Sequence, residues 1–168
     1  MASRGFQGLT GAQRELVDYW YRLSAGSRST RPRRRDVDAG ALRAHLANLS
    51  IIEVPLAGAA RFRLAGSALC DTARTNLQGR RLDGLPQDLA GLWREGLDEA
   101  LHLGVPVGGL VERPGSEFYH AWLRLPLESD GGPERLILCH DEILASSGTK
   151  KNSSIPALIL GGHSSIAA

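Results

Sequence analysis

Apolar positions along the chain follow two spacings, and the switches between them divide it into elements. Residues 10–23 carry the helical period: Leu16, Val17, Trp20 and Leu23 lie on one stripe, flanked by Tyr19 and Tyr21. Thr10 and Gln13 form a T-x-x-Q capping box at the start of that helix. Asp38 is placed to cap a short helix over 39–46, with Leu42 and Leu46 inward. Residues 49–54, LSIIEV, are an apolar run of strand length. After the Ala57-Gly58-Ala59 turn, Phe62 and Leu64 alternate with Arg61 and Arg63, which predicts a second strand over 61–64 and an antiparallel hairpin. Gly66 ends it and Ser67 is a candidate cap for the next helical turns, where Ala68, Leu69 and Ala73 are the apolar side. Asn76 and Gly79 then supply turn chemistry.

The second half predicts one long helix over 86–103, with Pro86 in its first turn and Gly104 just beyond its end. Leu89, Leu92, Trp93, Leu97, Ala100 and Leu101 form its apolar face. Strands are predicted at 105–113, 117–127 and 134–144, separated by turns rich in Gly, Pro and Asp. Alternation gives the strand 117–127 two faces. Tyr119, Ala121, Leu123, Leu125 and Leu127 share one, expected to meet the helices that follow the hairpin. Phe118, His120, Trp122 and Arg124 share the other. An aromatic pair on an outer face needs a cover, and the helix 10–23 is the expected one, from the same chain or from a second copy.

Length adds little beyond a single domain with a core large enough to stand without staples, since the chain has 168 residues. Residues 1–9 are expected to be disordered, 10–145 to form the domain, and 146–168 to be a flexible tail with one apolar run, 155–160, of no assigned role. Net charge is only +2, so no global field draws the chain to nucleic acid or an acidic membrane. Basic charge is local: Arg28, Arg31, Arg33, Arg34 and Arg35 crowd the linker 24–35. Without aromatics or a recognition helix beside it, this run is expected to be a solvated loop rather than a nucleic-acid surface. Cys70 and Cys139 have no paired spacing and are expected to be reduced. No apolar run reaches the length of a membrane span and no secretory h-region opens the chain, which predicts a cytoplasmic protein.

Catalytic and metal signatures are sparse. The sequence contains no GxSxG, HExxH, P-loop or GxGxxG pattern. Its five histidines lack ligand spacing within any one element; His120 and His140 are candidates for neighbours across adjacent strands, and no metal site is expected.

Three segments, in order, carry a resemblance. Pro32, Arg34, Asp36, Val37 and Asp38 match a "PxRxDIDP" pattern, with Ala39 in place of its last proline. Arg61, Arg63, Leu64, Gly66, Leu69, Leu77, Gly79, Arg80 and Leu82 match "RxRLxG…GRxL". Leu125-Pro126-Leu127, followed by Asp130-Gly131, matches an "LPL" strand and its glycine turn. Across about residues 16–144 the chain thus resembles a bacterial stand-alone family of the PAS domain superfamily. The resemblance implies an α+β fold. A five-stranded antiparallel sheet in order 2-1-5-4-3 would carry helices on one face and the N-terminal helix on the outer face. It also implies that Arg34 pairs with a carboxylate, Asp36 or Asp38 being the nearest. Some PAS-like sensors hold haem through a histidine of the long helix, but His102 lies on its polar side near Asp98. Flavin-binding relatives use a cysteine in an "NCRFLQ"-like helix, and Asn76-Leu77-Gln78 lacks it.

What remains is an apolar pocket between the long helix and the sheet. Its expected lining is Leu64, Asn76, Trp93, Leu97, Tyr119 and Leu123, with the occupant unknown. The fold family implies a homodimer through the N-terminal helix and outer sheet face, so Leu16, Trp20, Leu23, Phe118 and Trp122 are the expected interface. The functional expectation is a non-enzymatic sensory or regulatory module that binds a partner protein, with a small ligand as its gate. The alternatives are a pure interaction module with a closed core, and a small enzyme.

Overall fold

The computed structural model describes residues 8–27, 29–113 and 115–145 and the backbone of residues 158–159. The expected flexible tail lies outside the described residues apart from that pair, as do residues 1–7 of the expected disordered start. Strands β1 (Leu49–Val54), β2 (Arg61–Ala65), β3 (Val107–Glu112), β4 (Phe118–Leu127) and β5 (Arg135–Ala145) form an antiparallel sheet in the order 2-1-5-4-3. β1 sits inside the sheet between β2 and β5, and all of its residues but Val54 are buried there. A two-residue strand, β6 (Leu158–Ile159), lies on the free edge of β3.

Helix α1 (Gly11–Gly26) starts where the sequence places it. Thr10 Oγ1 accepts from Gln13 N and Gln13 Oε1 accepts from Thr10 N, both at 3.2 Å, so the capping box is complete. Leu16, Val17 and Trp20 are buried against Leu49, Ile51, Leu123, Leu125, Leu127, Leu136 and Leu138. Trp20 Nε1 donates to Pro126 O at 2.8 Å, which gives the one polar atom of that side chain a partner in a dry interface. Leu9, placed by sequence in a disordered stretch, is buried in the same cluster.

The opposite face of the sheet is covered by α2 (Ser67–Ala73), α3 (Gln87–Arg94) and α4 (Leu97–Leu103). Ile52, Phe62, Leu69, Leu77, Leu82, Trp93, Leu97, Ile137 and Cys139 make its core. Gly66, rather than Ser67, is the cap residue of α2. Segment 39–45 is a run of turns followed by a 3-10 turn, Leu46–Asn48, instead of the expected helix; Leu42 is buried but Leu46 is exposed.

Three further expectations are corrected. The predicted long helix is two helices, because Gly96 between them adopts φ +72° and the ring of Trp122 occupies the space a Cβ there would need. The faces of β4 are exchanged. Leu123, Leu125 and Leu127 meet α1, while His120, Trp122 and Arg124 lie under α3 and α4. A long aliphatic stripe matches the aliphatic stripe of α1, whereas the even positions carry polar groups whose partners lie only on the other side. Finally, Leu64 is 39% exposed and does not share the side of Phe62. The register is Ile52↔Phe62 but Ile51↔Leu64, so Arg63 is an extra residue in a β-bulge that turns Leu64 to the other face.

Gly96 gives a direct test of this packing. Gly96→Ala should lower stability by at least about 2 kcal/mol, combining left-handed strain with a clash against Trp122. Gly91→Ala, exposed in α3 with open space at its Cβ, should be neutral or stabilising by up to about 1 kcal/mol. Urea unfolding of the two variants measures both; equal effects would contradict the wedge.

Candidate functional site

The polar centre of the molecule is built by strand register. Trp122 of β4 stands opposite Asp141 of β5, and Arg124 opposite Cys139, so these side chains and His120 share the face beneath α3 and α4. Arg124 is fully buried. Its Nη1 and Nη2 donate to Asp141 Oδ2 and Oδ1 at 3.1 and 2.9 Å. Its other N–H groups reach Leu123 O (2.9 Å), Leu92 O (2.8 Å) and Glu95 O (2.9 Å). All five guanidinium donors therefore have acceptors. Leu92 and Glu95 lie at the C-terminal end of α3, whose last carbonyls have no partners within the helix, so Arg124 caps that helix from the sheet.

Asp141 Oδ1 also lies 2.8 Å from His120 Nε2. An ionised carboxylate only accepts, so the imidazole carries its proton on Nε2. Burial alone would raise the Asp141 pKa; the Arg124 charge and the hydrogen bonds from His120 and Arg124 outweigh it and hold the carboxyl below its ordinary value. Burial pushes the neighbouring Cys139 thiol up to about 12, so it stays protonated and is not a nucleophile at neutral pH. The Trp122 ring lies 5.6 Å from the Arg124 guanidinium carbon. Trp93 meets Phe62 edge to face, 5.1 Å between centroids. The indole N–H groups of Trp93 and Trp122 are buried and have no acceptor among the described residues.

A second polar group lies on the α1 side. His140 Nε2 is 3.5 Å from Glu142, His45 Nε2 is 3.1 Å from Glu15 of α1, and the two rings are 6.2 Å apart. Burial lowers the His140 pKa to about 4, so it is neutral in the fold. His120 stands opposite Ile143 and His140 opposite Leu123, on different faces, so the two histidines are not the neighbours the sequence suggested. Among the described residues no group of three His, Cys, Asp or Glu side chains is arranged to hold a metal.

The expected pocket residues scatter. Trp93 and Leu97 lie in the core under α3 and α4. Leu123 is in the α1 cluster, and Tyr119 is on that same face. Leu64 is exposed, and Asn76 is an exposed turn residue whose Oδ1 accepts from Gln78 N. The expected interface is also dispersed. Leu16 and Trp20 are buried in their own domain, Leu23 is partly buried, and Trp122 is buried on the far face; Phe118 alone is open, 47% exposed. Arg33, rather than Arg34, approaches a carboxylate, that of Glu128 at 3.8 Å; Asp36 accepts from Arg33 N and Asp38 from Gly40 N. Sequence reasoning missed Arg124 and Asp141. The available signal was one arginine among the apolar residues at the end of β4 and an aspartate in the neighbouring strand β5.

Comparison with known families agrees with this architecture. A family model described as PAS domain matches residues 10–99, more than half of the 168 residues, from the capping box of α1 into α4. The chain belongs to the PAS domain family, whose members are sensory and regulatory modules. A search of curated proteins found no match. No helix among the described residues is long and apolar enough to cross a membrane.

Two measurements follow from the polar groups. Asp141→Ala strands the Arg124 charge in the core and should cost about 3–5 kcal/mol, whereas Arg124→Met with Asp141→Leu should cost much less than the two single changes together. Additive losses in urea unfolding would argue against a coupled pair. His140 sets an acid limb. Its lowered pKa contributes stability that is complete above pH 6.5 and is lost as pH falls toward about 4, because the unfolded chain takes up the proton first. Asp141 adds a further loss at lower pH, as the medium falls through its depressed value. His140→Gln should therefore flatten the stability profile between pH 6.5 and 4 by about 3 kcal/mol. An unchanged slope would mean that His140 is charged in the fold.

Proposed function

We propose that this chain is a non-enzymatic PAS-type sensory or regulatory module that acts by binding a partner protein, its core closed by its own side chains. Residues 10–145 constitute the module in this reading. Two free cysteines, Cys70 and Cys139, fit a reducing, cytoplasmic setting. The observation that carries the proposal is the filling of the space between α3, α4 and the sheet. Phe62, Trp93, Trp122 and Arg124 are each at most 1% exposed there, and the charged groups among them are engaged with one another. A second reading, gating by a small ligand, is favoured by the unpartnered indole N–H groups of Trp93 and Trp122, which suit a polar acceptor.

The contact surface best supported is at the adjoining ends of β4 and β5. Phe118 and Ile143 lie there on one face, 47% and 38% exposed, as diagonal cross-strand neighbours. A two-fold homodimer is the simplest assembly that would cover them. Sedimentation at micromolar concentration should show a dimer that Phe118→Glu with Ile143→Glu dissociates. A monomeric wild type would remove the homodimer and leave a different protein as partner. Native mass spectrometry of the protein from its own host separates the two readings: the bare mass supports the closed core, and a retained small molecule supports gating.

A further inference from the structure

The two edges of the sheet are finished differently. Along the outer edge of β2, segment 79–82 acts as a further strand: Phe62 N donates to Arg80 O (2.9 Å), Gly79 N to Phe62 O (2.7 Å) and Leu82 N to Ala60 O (2.8 Å). Among the described residues, β3 has nothing along its outer edge except Leu158–Ile159, antiparallel, with Ile159 opposite Val107 and Leu158 opposite Gly108. With that pair in place, Val107, Gly108 and Gly109 are all buried. Leu9 closes one side, where a Cβ on Gly108 would lie 2.8 Å from Leu9 Cδ2. Trp122 closes the other, where a Cβ on Gly109 would lie 3.0 Å from the indole ring. With both faces covered, the outer edge is the direction in which these peptide groups meet a partner, and a hydrogen-bonding strand there satisfies them. β3 also lacks the usual deterrents to pairing. It has no proline, and no charge before Glu112.

We propose that the outer edge of β3 is a strand-addition site and that its occupant is segment 155–160 of the same chain, paired in cis through Leu158–Ile159. The sequence of that segment, Ile-Pro-Ala-Leu-Ile-Leu, is apolar with branched side chains, and Pro156 falls outside the paired residues. Reach favours the same chain. Twelve residues lie between Ala145 and Leu158, and the thirteen steps from one to the other extend up to ~43 Å, whereas three strand spacings, ~15 Å, separate β5 from the far side of β3. The surface so defined accepts an extended apolar strand, and a ladder of two residues is short enough to exchange for a longer one from a partner.

Hydrogen exchange on the full chain tests this. Leu158→Pro with Ile159→Pro should speed exchange of the amides at 107–109 by at least about tenfold while β4–β5 amides keep their protection. A synthetic peptide of residues 153–162, added to that variant, should restore the lost protection. If the double variant unfolds, seen as loss of protection in β4–β5, Ile159→Pro alone gives the same reading. Unchanged exchange at 107–109, or a peptide that restores nothing, overturns the proposal. Wild-type protection that fades on dilution would place the strand of a second copy on the edge and overturn the assignment in cis.

Discussion

Arg124 and Asp141 meet in the middle of the sheet, both buried, and the arrangement above them follows from that. A buried guanidinium is tolerable only when every donor is used and its charge is matched. The carboxylate supplies two acceptors, and the rest come from the backbone, including Leu92 and Glu95 at the end of α3. The pair therefore reaches beyond the sheet. It holds the end of one helix, and His120 adds a third polar side chain to the same carboxylate.

Trp122 works beside this pair. Its ring fills the space between the two short helices and β3, which is possible because Gly96 and Gly109 offer no Cβ. The break between α3 and α4, the capping of α3 by Arg124 and the placing of the Trp122 ring are one packing solution. Inside this core the thiol of Cys139 is held protonated, and the Arg124 and Asp141 charges neutralise one another. The packing is that of a member of the PAS domain family, whose members are sensory and regulatory modules.

The other face has a different character. Aliphatic stripes of α1 and of β4 and β5 interlock, with Trp20 hydrogen-bonded to Pro126, so the N-terminal helix belongs to the domain it covers. At the margin of the sheet, Phe118 and Ile143 at the adjoining ends of β4 and β5 remain exposed.

Local pattern determined a good deal. The capping box of α1, the extent of β1, the strand order and the PAS resemblance were legible because each rests on spacing within a short stretch, or on a few motif residues in order. Which face of β4 meets which helix was not legible. Alternation gives two faces and says nothing about what lies beyond either. One extra residue at Arg63 sent Leu64 to the wrong side of that alternation. The helical pattern over 86–103 hid a break, since a glycine inside a helix reads as tolerated until a neighbouring ring demands its position. The pairing of Arg124 with Asp141 was beyond sequence reading for a related reason. They stand seventeen positions apart, and only strand register, fixed by the whole sheet, decides that these two charges will neutralise each other rather than face water.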